Sequence, residues 1–429
     1  MTALDRLRHA AGGFGNAGRA FAHRNYRIYV SGNSVGLIGT WLQRVSVGWL
    51  AWTLTHSGAW LGLMSMAEFF PVVFLSPLAG VLADRRNQVS VIRTTQVIGG
   101  CQATLLAALV YTDTITIWFL FGLTMLLGIT NSFAQPSRMA LISNLVDRPT
   151  LPSALAINSI VFNSARFIGP AVAGIIIAHA SIATAFAVNA ATYAWFFLAM
   201  TRLDRVQSYS GRGGRNVLAE AAEAYTYASR HPGIAPMLGL FAVTTIGTRG
   251  FVELFPGFAD LVFHRGAAGL SMLVSTVGLG AICGGAWMLV RSEIVGLTGI
   301  VLGNTLLMSL AVIAFTASDN FIIALPCAFV AGAAMVITGV GAQTLVQAAV
   351  EPQMRGRIMA LYGMIFRAGP ALGAVLMGSL SERFGLRLPL AVGAVVSIAV
   401  WAMTWARHRH IAAKLESEPP HRAAMKAAD

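Results

Sequence analysis

Twelve long apolar stretches, separated by short connections that hold nearly all of the charge, leave this 429-residue chain very few folds. A bilayer core contains no water to satisfy backbone N–H and C=O groups, so each stretch must pair them internally, as a helix. A membrane barrel would show ~10-residue alternating segments instead. The stretches fall at about 27–52, 59–82, 90–112, 115–137, 153–178, 181–201, 235–258, 268–290, 295–316, 320–344, 357–380 and 388–406. A helix of ~20 residues covers the ~30 Å hydrocarbon layer. With 56% hydrophobic and 11% charged residues, the chain lies outside the range of soluble globular proteins. The expected class is an all-α polytopic membrane protein with twelve transmembrane helices.

The net charge of +13 does not point to nucleic acid, because the basic residues are sided. If both ends lie on one face, 23 of the 30 Lys and Arg fall on that face, in loops and adjoining helix ends. Arg265, Arg383 and Arg387 fall on the other, and Arg44, Arg166, Arg249 and Arg367 lie within spans. That asymmetry places both termini in the cytoplasm. The first apolar run begins only after about 25 polar, Arg-rich residues and is too long for a signal-peptide core, so it is expected to remain as a span. Cys101, Cys283 and Cys327 fit neither a disulfide framework nor a metal site and are expected as small packing residues.

The longest connection, 202–234, divides the spans six and six. It opens with Ser208, Gly211, Gly213 and Gly214. Leu218, Ala221, Ala222 and Tyr225 then recur at helical spacing, with Glu220 and Glu223 opposite, which predicts a short helix on the membrane surface. The organisation expected is a polar arm (1–26), a six-helix bundle (27–201), this loop, a second bundle (235–406) and a cytoplasmic tail (407–429). The bundles share spelling. Ile38-Gly39-Thr40 and His56-Ser57-Gly58-Ala59 return 208 residues later as Ile246-Gly247-Thr248 and His264-Arg265-Gly266-Ala267. Gly169-Pro170-Ala171 likewise returns as Gly369-Pro370-Ala371, with Arg166 and Arg367 just upstream. Parallel duplication of this kind marks many secondary transporters, whose substrate sites lie near the midplane.

Three segments carry a family likeness: Gly39-Thr40-Trp41-Leu42-Gln43-Arg44, Ser76-Pro77-Leu78-Ala79-Gly80-Val81-Leu82-Ala83-Asp84-Arg85, and Arg355-Gly356-Arg357-Ile358-Met359-Ala360-Leu361-Tyr362. With them the chain, over roughly 20–405, resembles the major facilitator superfamily. Within it, the likeness is to the bacterial branch of enterobactin-type siderophore and macrolide or multidrug exporters. The resemblance implies two pseudo-symmetric six-helix bundles in the bacterial inner membrane. Gly80-x-x-x-Asp84-Arg85 resembles the signature loop between helices 2 and 3, although Arg86-Asn87-Gln88-Val89 stands where that motif carries a second glycine and further basic residues. An aspartate beside arginines at a helix end can form a charge-assisted latch; a solvated loop charge is the plainer reading. Gly169-Pro170-Ala171-Val172-Ala173-Gly174 resembles the helix-5 motif of antiporters, implying export, while Gly-Pro bends also occur in many membrane helices.

Ionisable groups in hydrocarbon cost ~2.5–3.5 kcal/mol on insertion scales, so they mark function or pairing. Glu68 and Glu253 are the candidates for proton coupling. Arg44 lies at a depth similar to Glu68, and Arg249 stands four residues before Glu253. Burial disfavours a carboxylate's charge and a nearby arginine favours it, so a contact that changes between access states would load and release a proton. Static ion pairs that orient helices are the alternative. Arg166 and Arg367 would favour an anionic substrate if they face a cavity, or else bond carbonyls freed by the neighbouring prolines. Gln43, Asn131, Gln135 and Gln343 are further cavity candidates. Asn163, Asn189, Asn304 and Gln347 belong to the same polar set, and Trp41, Phe69, Phe70, Tyr362 and Phe366 are candidates for a greasy wall.

Gly32-Asn33-Ser34-Val35-Gly36 spells the hydrolase elbow, but inside a predicted membrane helix it reads as a small-residue packing face. The only lysines, Lys414 and Lys426, lie in the tail, so no P-loop exists. The expected function is export of a small molecule (siderophore, drug or related amphiphile) by proton antiport and alternating access, without catalysis, cofactor or metal, by a monomer. Ion-coupled uptake and a non-transporting sensor are the competing readings.

Overall fold

The computed structural model describes residues 19–204, 217–291 and 293–416, with the side chains of 76–78, 80–85 and 217–221 outside that description. Among the described residues the chain is helix and turn, without strand. Six helices come first: α1 (Arg24–Thr55), α2 (Gly58–Arg85), α3 (Gln88–Tyr111), α4 (Ile117–Leu145), α5 (Leu151–His179) and α6 (Ile182–Thr201). A short α7 (Val217–Arg230) follows. Next come α8 (Ile234–Gly247) and its irregular continuation to Val262. The rest are α9 (Gly266–Val290), α10 (Leu297–Ala317), α11 (Phe321–Ala349), α12 (Arg355–Phe384), α13 (Arg387–Trp405) and α14 (His408–Leu415). Starts are written locally. Asn87, Thr116, Ser181 and Asn320 each accept a hydrogen bond from a first-turn N–H of α3, α4, α6 and α11, respectively.

Among the described residues, ten helices are long and apolar enough to cross a membrane: α2, α4, α5, α6, α8 with its continuation, and α9 to α13. The two others expected as spans, α1 and α3, form at 32 and 24 residues but are more polar. Their amides explain why. Gln43 on α1 and Gln88, Gln96 and Gln102 on α3 are buried, so polarity that lowers the hydropathy of these helices is turned into protein.

The described helices belong to two compact units: residues 1–50 with 70–214, and residues 51–69 with 215–429. The first is knit by a core that includes Tyr26, Tyr29, Ile92, Leu141, Ile142, Phe196 and Met200, with the Tyr26 hydroxyl donating to the Ala154 carbonyl at 2.9 Å. The G-x-S-x-G spelling sits here. The Ser34 hydroxyl donates to its own helix at Val30, and an added Cβ at Gly32 would lie 2.7 Å from Ala199 and Phe196, so it is a packing face. Residues 51–69, the end of α1 and the start of α2, group with the second unit rather than with the rest of their helices. They do so by close backbone approach. An added Cβ at Gly62 would sit 2.5 Å from the Ala374 carbonyl oxygen, and the Glu382 carboxylate accepts from the Ser57 hydroxyl (2.5 Å) and the Ala59 N–H (3.3 Å).

One end of the second unit is a packed plate. Ala224 and Ala228 of α7, Ile234 and Met237 of α8, Leu297 of α10, Val346 and Val350 of α11 and its end, Ile358 of α12, and Ile411 and Leu415 of α14 share one cluster. The surface helix therefore forms as expected but turns a different face inward. Ala224 and Ala228, four apart, are buried, while Tyr225 is exposed. Leu218, Ala221 and Glu220 have side chains outside the described residues, as do Ser208, Gly211, Gly213 and Gly214 in full. Glu223 pairs with Arg357 at 2.6 Å, tying α7 to the first turn of α12. Nor is the beginning of the tail a loose arm. Burial of Ile411 and Leu415 stabilises α14 by about 2 kcal/mol per side chain, and the Glu416 carboxylate accepts from the Gly296 and Thr298 N–H groups at 2.7 Å, capping α10. Cys101 and Cys283 are exposed and Cys327 half-buried, so the cysteines are not core packing residues.

Candidate functional site

Each unit carries polar machinery at the depth where its repeated segments cross. In the first, an added Cβ at Gly169 of α5 would lie 2.5 Å from Trp41 Cβ and 2.9 Å from the Ile38 carbonyl of α1. In the second, Gly369 of α12 backs onto the Thr245 side chain of α8, and the contact with the Ile246 carbonyl is made one turn later by Gly373. Ile38 and Ile246 are the repeat-related residues of the sequence, so the helix carrying the Gly-Pro motif crosses the same repeat segment in each unit, with the contact one turn further on in the second. Only glycine allows backbones that close.

In the first unit the Trp41 ring lies beneath two cations. The Arg44 guanidinium is 5.3 Å and the Arg166 guanidinium 5.5 Å from its centroid, and Phe162 meets it edge-on at 6.0 Å. All but exposed Phe162 are half-buried. Beside them Gln43 is closed off, 2% exposed. Its amide donates to Gln102 at 3.0 Å and accepts from Asn189, Gln102 donates onward to the Leu123 carbonyl, and Thr192 donates to Asn189 at 3.0 Å. Gln43 is thus a tie between α1, α3 and α6 rather than a cavity-lining group. Asn163 is bound to its own helix at Ser159, Asn131 is half-buried, and Gln135 is exposed.

In the second unit the α8 span breaks. Residues Arg249–Leu254 wind as a 3-10 helix, Phe255–Gly257 return to α, and Phe258–Val262 form a π turn. Irregular backbone at membrane depth is tolerated where protein or a water-filled cavity surrounds it. Here 67% of the most apolar window is buried, against 28–50% in the other nine spans. Arg249 is 4% exposed, donates to the Met335 carbonyl of α11 at 2.6 Å, and lies 4.9 and 5.4 Å from the ring centroids of Phe241 and Phe366. Tyr362 stacks on Phe241 at 4.8 Å and donates to the Gly339 carbonyl, which completes a clamp on the cation. The 3-10 winding has 3.0 residues per turn, so Arg249 and Glu253 stand about a third of a turn apart rather than on the one α-helical face expected.

Glu253 is half-buried. So is Glu68, which lies in the 51–69 segment of the second unit while Arg44 lies in the first. Arg367 is exposed, its guanidinium lying back along its own helix beside Gly363, and Gln343 is exposed. Gly174, Gly369 and Pro170 are buried and Pro370 is half-buried. Gly80, Asp84 and Arg85 end α2, but their side chains lie outside the described residues.

One carboxylate escaped the sequence reading. The seventh span continues past 258 to Val262 and so takes in Asp260, which accepts a hydrogen bond from the buried Trp52 indole at 2.9 Å. Phe255-Pro256-Gly257 inside an apolar run was its signal, because it ends a regular helix without ending the span.

A family model described as "Transmembrane secretion effector" matches residues 18–426. The chain belongs to that family of major facilitator transporters. Among relatives of this transporter, the staphyloferrin A transporter of Staphylococcus aureus is 28% identical over 39% of the chain and 42% of its own length, so the match spans less than half of that protein. The multidrug efflux pump Tap of Mycolicibacterium fortuitum is 26% identical over 84% of the chain and 91% of its own. A crystal structure of the nucleoside transporter NupG superposes with a TM-score of 0.69 at 14% identity, covering 89% of this chain and 98% of that one. At that identity the likeness concerns the fold alone.

Proposed function

We propose that this transporter exports a small amphiphile across the bacterial inner membrane by alternating access, driven by proton antiport, with both chain ends in the cytoplasm. The observation that carries the reading is the broken seventh span. A fully apolar α-helix would cross the bilayer at no electrostatic cost, yet this one is unwound and carries Arg249, Glu253 and Asp260. Discontinuous helices with ionisable groups near the midplane are where secondary transporters hold coupling ions and substrate. Glu253 and Glu68 are the proton carriers of this reading, and the cations around Trp41 favour a carboxylate-bearing or otherwise anionic cargo. The multidrug efflux relative supports an outward direction, and it and the staphyloferrin A transporter together support a small-molecule cargo.

Alternating access also gives a role to the crossing of α2 on α12. Gly58, Gly62 and Gly378 lock these helices backbone to backbone, and Trp52, six residues before Gly58, donates to Asp260; both contacts must part and re-form in each cycle. Proteoliposome flux of siderophores, macrolides and lipophilic cations, with and without a pH gradient, tests the function. Gradient-dependent movement of at least one cargo, lost in Glu253→Gln, is expected. A Glu68→Gln, Glu253→Gln double variant that still couples flux to protons removes the coupling assignment.

A further inference from the structure

A groove of about 540 Å³ runs along the second unit between α8, α12 and α13, within the ~300–1,000 Å³ range of ligand sites. Its floor exists because two glycines cross there. An added Cβ at Gly247 would lie 2.6 Å from the Gly393 carbonyl oxygen, and Gly393 backs onto the Gly247 carbonyl in return, so no side chain fills the trough. Its walls are Leu376, Leu380 and Phe384 of α12 and Leu388, Val392 and Val396 of α13, each 38–57% exposed. The lining side chains are apolar throughout and offer nothing to orient a polar cargo.

The rim differs. Arg383 follows Leu380 by three residues and Leu376 by seven, so it stands on the same face one turn beyond the wall, and it is exposed. Arg387 opens α13, whose start has no side-chain cap from Leu386, so first-turn N–H groups face the same end. Asp319 pairs with Arg387 itself and offsets that charge, and the Glu382 carboxylate accepts from Ser57 and Ala59, so Arg383 is the cation this rim offers to an anion. Two of the three basic residues expected on the face opposite the termini thus sit at one end of one apolar trough.

We propose that this groove holds one anionic phospholipid. An acyl chain lies along the Gly247–Gly393 floor, and the headgroup phosphate is held by Arg383 with help from the start of α13. The lipid belongs to the leaflet opposite α14. The site rests on the chain crossing a bilayer and not on its cargo, direction or coupling.

Native mass spectrometry of the delipidated full chain, titrated with phosphatidylglycerol and phosphatidylethanolamine of matched acyl chains, tests it without any flux assay. One phosphatidylglycerol per chain is expected to survive activation that strips phosphatidylethanolamine. Arg383→Gln should weaken that retention about fivefold, the worth of one arginine at an anionic surface, and Arg383→Lys should restore most of it. Val392→Trp, which fills the trough from an exposed position, should abolish retention while helicity and monodisperse elution stay unchanged. Equal retention of the two lipids, an Arg383→Gln variant that holds phosphatidylglycerol as wild type does, or retention in Val392→Trp overturns the assignment. So does a chain dimer that Val392→Trp dissolves, since the groove would then be covered by a second copy. A failed flux assay leaves this result untouched, and a failed lipid result leaves the transport reading untouched.

Discussion

The middle of the first unit and the middle of the second solve the same packing problem with opposite chemistry. In the first, Gln43, Gln102 and Asn189 satisfy one another, so α1, α3 and α6 are joined by neutral amides. In the second, the corresponding helix unwinds and seats the Arg249 cation between Phe241 and Phe366, where it donates to the Met335 carbonyl. Neutral networks of satisfied amides specify helix partners at small cost. A buried cation on irregular backbone is expensive to insert, so its retention points to a moving or reacting part. The two halves of the duplication therefore hold their middles differently, one by a network of neutral amides and the other by a clamped cation.

The largest effect expected from breaking this contrast is on coupling. Glu253→Gln should lower gradient-driven flux at least about tenfold with little change in melting temperature, the pattern of a lost proton carrier. If stability falls and flux per folded molecule does not, the second unit is as structural as the first. A change at the α2–α12 crossing comes next. Gly378→Leu must force apart the Gly58 backbone and should destabilise the closed crossing by about 1–3 kcal/mol, read as increased thiol labelling of Ser381→Cys, a near-isosteric probe buried at the same crossing, in a chain whose native cysteines are replaced. Unchanged labelling would mean that the crossing does not open.

Asn189→Leu should do the reverse of Glu253→Gln. It leaves Gln43 short of a donor and should cost about 2 kcal/mol in denaturation experiments, with flux per folded molecule retained. The smallest effect lies at the start of α8. The His231 ring accepts from the Gly233 and Ile234 N–H groups through Nδ1, which must be unprotonated to do so. Burial and the Lys414 charge lower its pKa from 6.5, against an opposing pull from Glu351 and its own backbone hydrogen bond. A lowered folded pKa means that the unfolded chain takes the proton first. The cap is therefore intact above about pH 6.5 and is lost as pH falls through the lower folded value. Stability should fall across that window, and His231→Asn, a cap without a titratable ring, should remove that pH dependence.

Much of this is legible in the sequence. The duplicated Ile38 and Ile246 segments and the Gly169-Pro170 and Gly369-Pro370 motifs announced a repeated crossing, and both halves have it. Arg249 was visible as a charge in hydrocarbon. Its aromatic clamp was not, because Phe241, Tyr362 and Phe366 are scattered along 125 residues and meet only through helix packing. Gln43 looked like a cavity group because a lone amide in a span has no partner that sequence spacing can reveal; Gln102 and Asn189 supply one from two other helices. Asp260 was missed because Pro256 and Gly257 imitate the end of a span, whereas the π turn carries the helix past them.

Helical character, membrane-class hydropathy and family membership are sums over neighbours along the chain, and composition and motifs count those sums without knowing where the chain goes. Which polar group satisfies which, why residues 51–69 join the second unit, and where two glycines leave a trough depend on facing surfaces far apart in sequence. Those choices rest on sub-ångström backbone approach and hydrogen-bond direction, and only the folded arrangement of helices sets them.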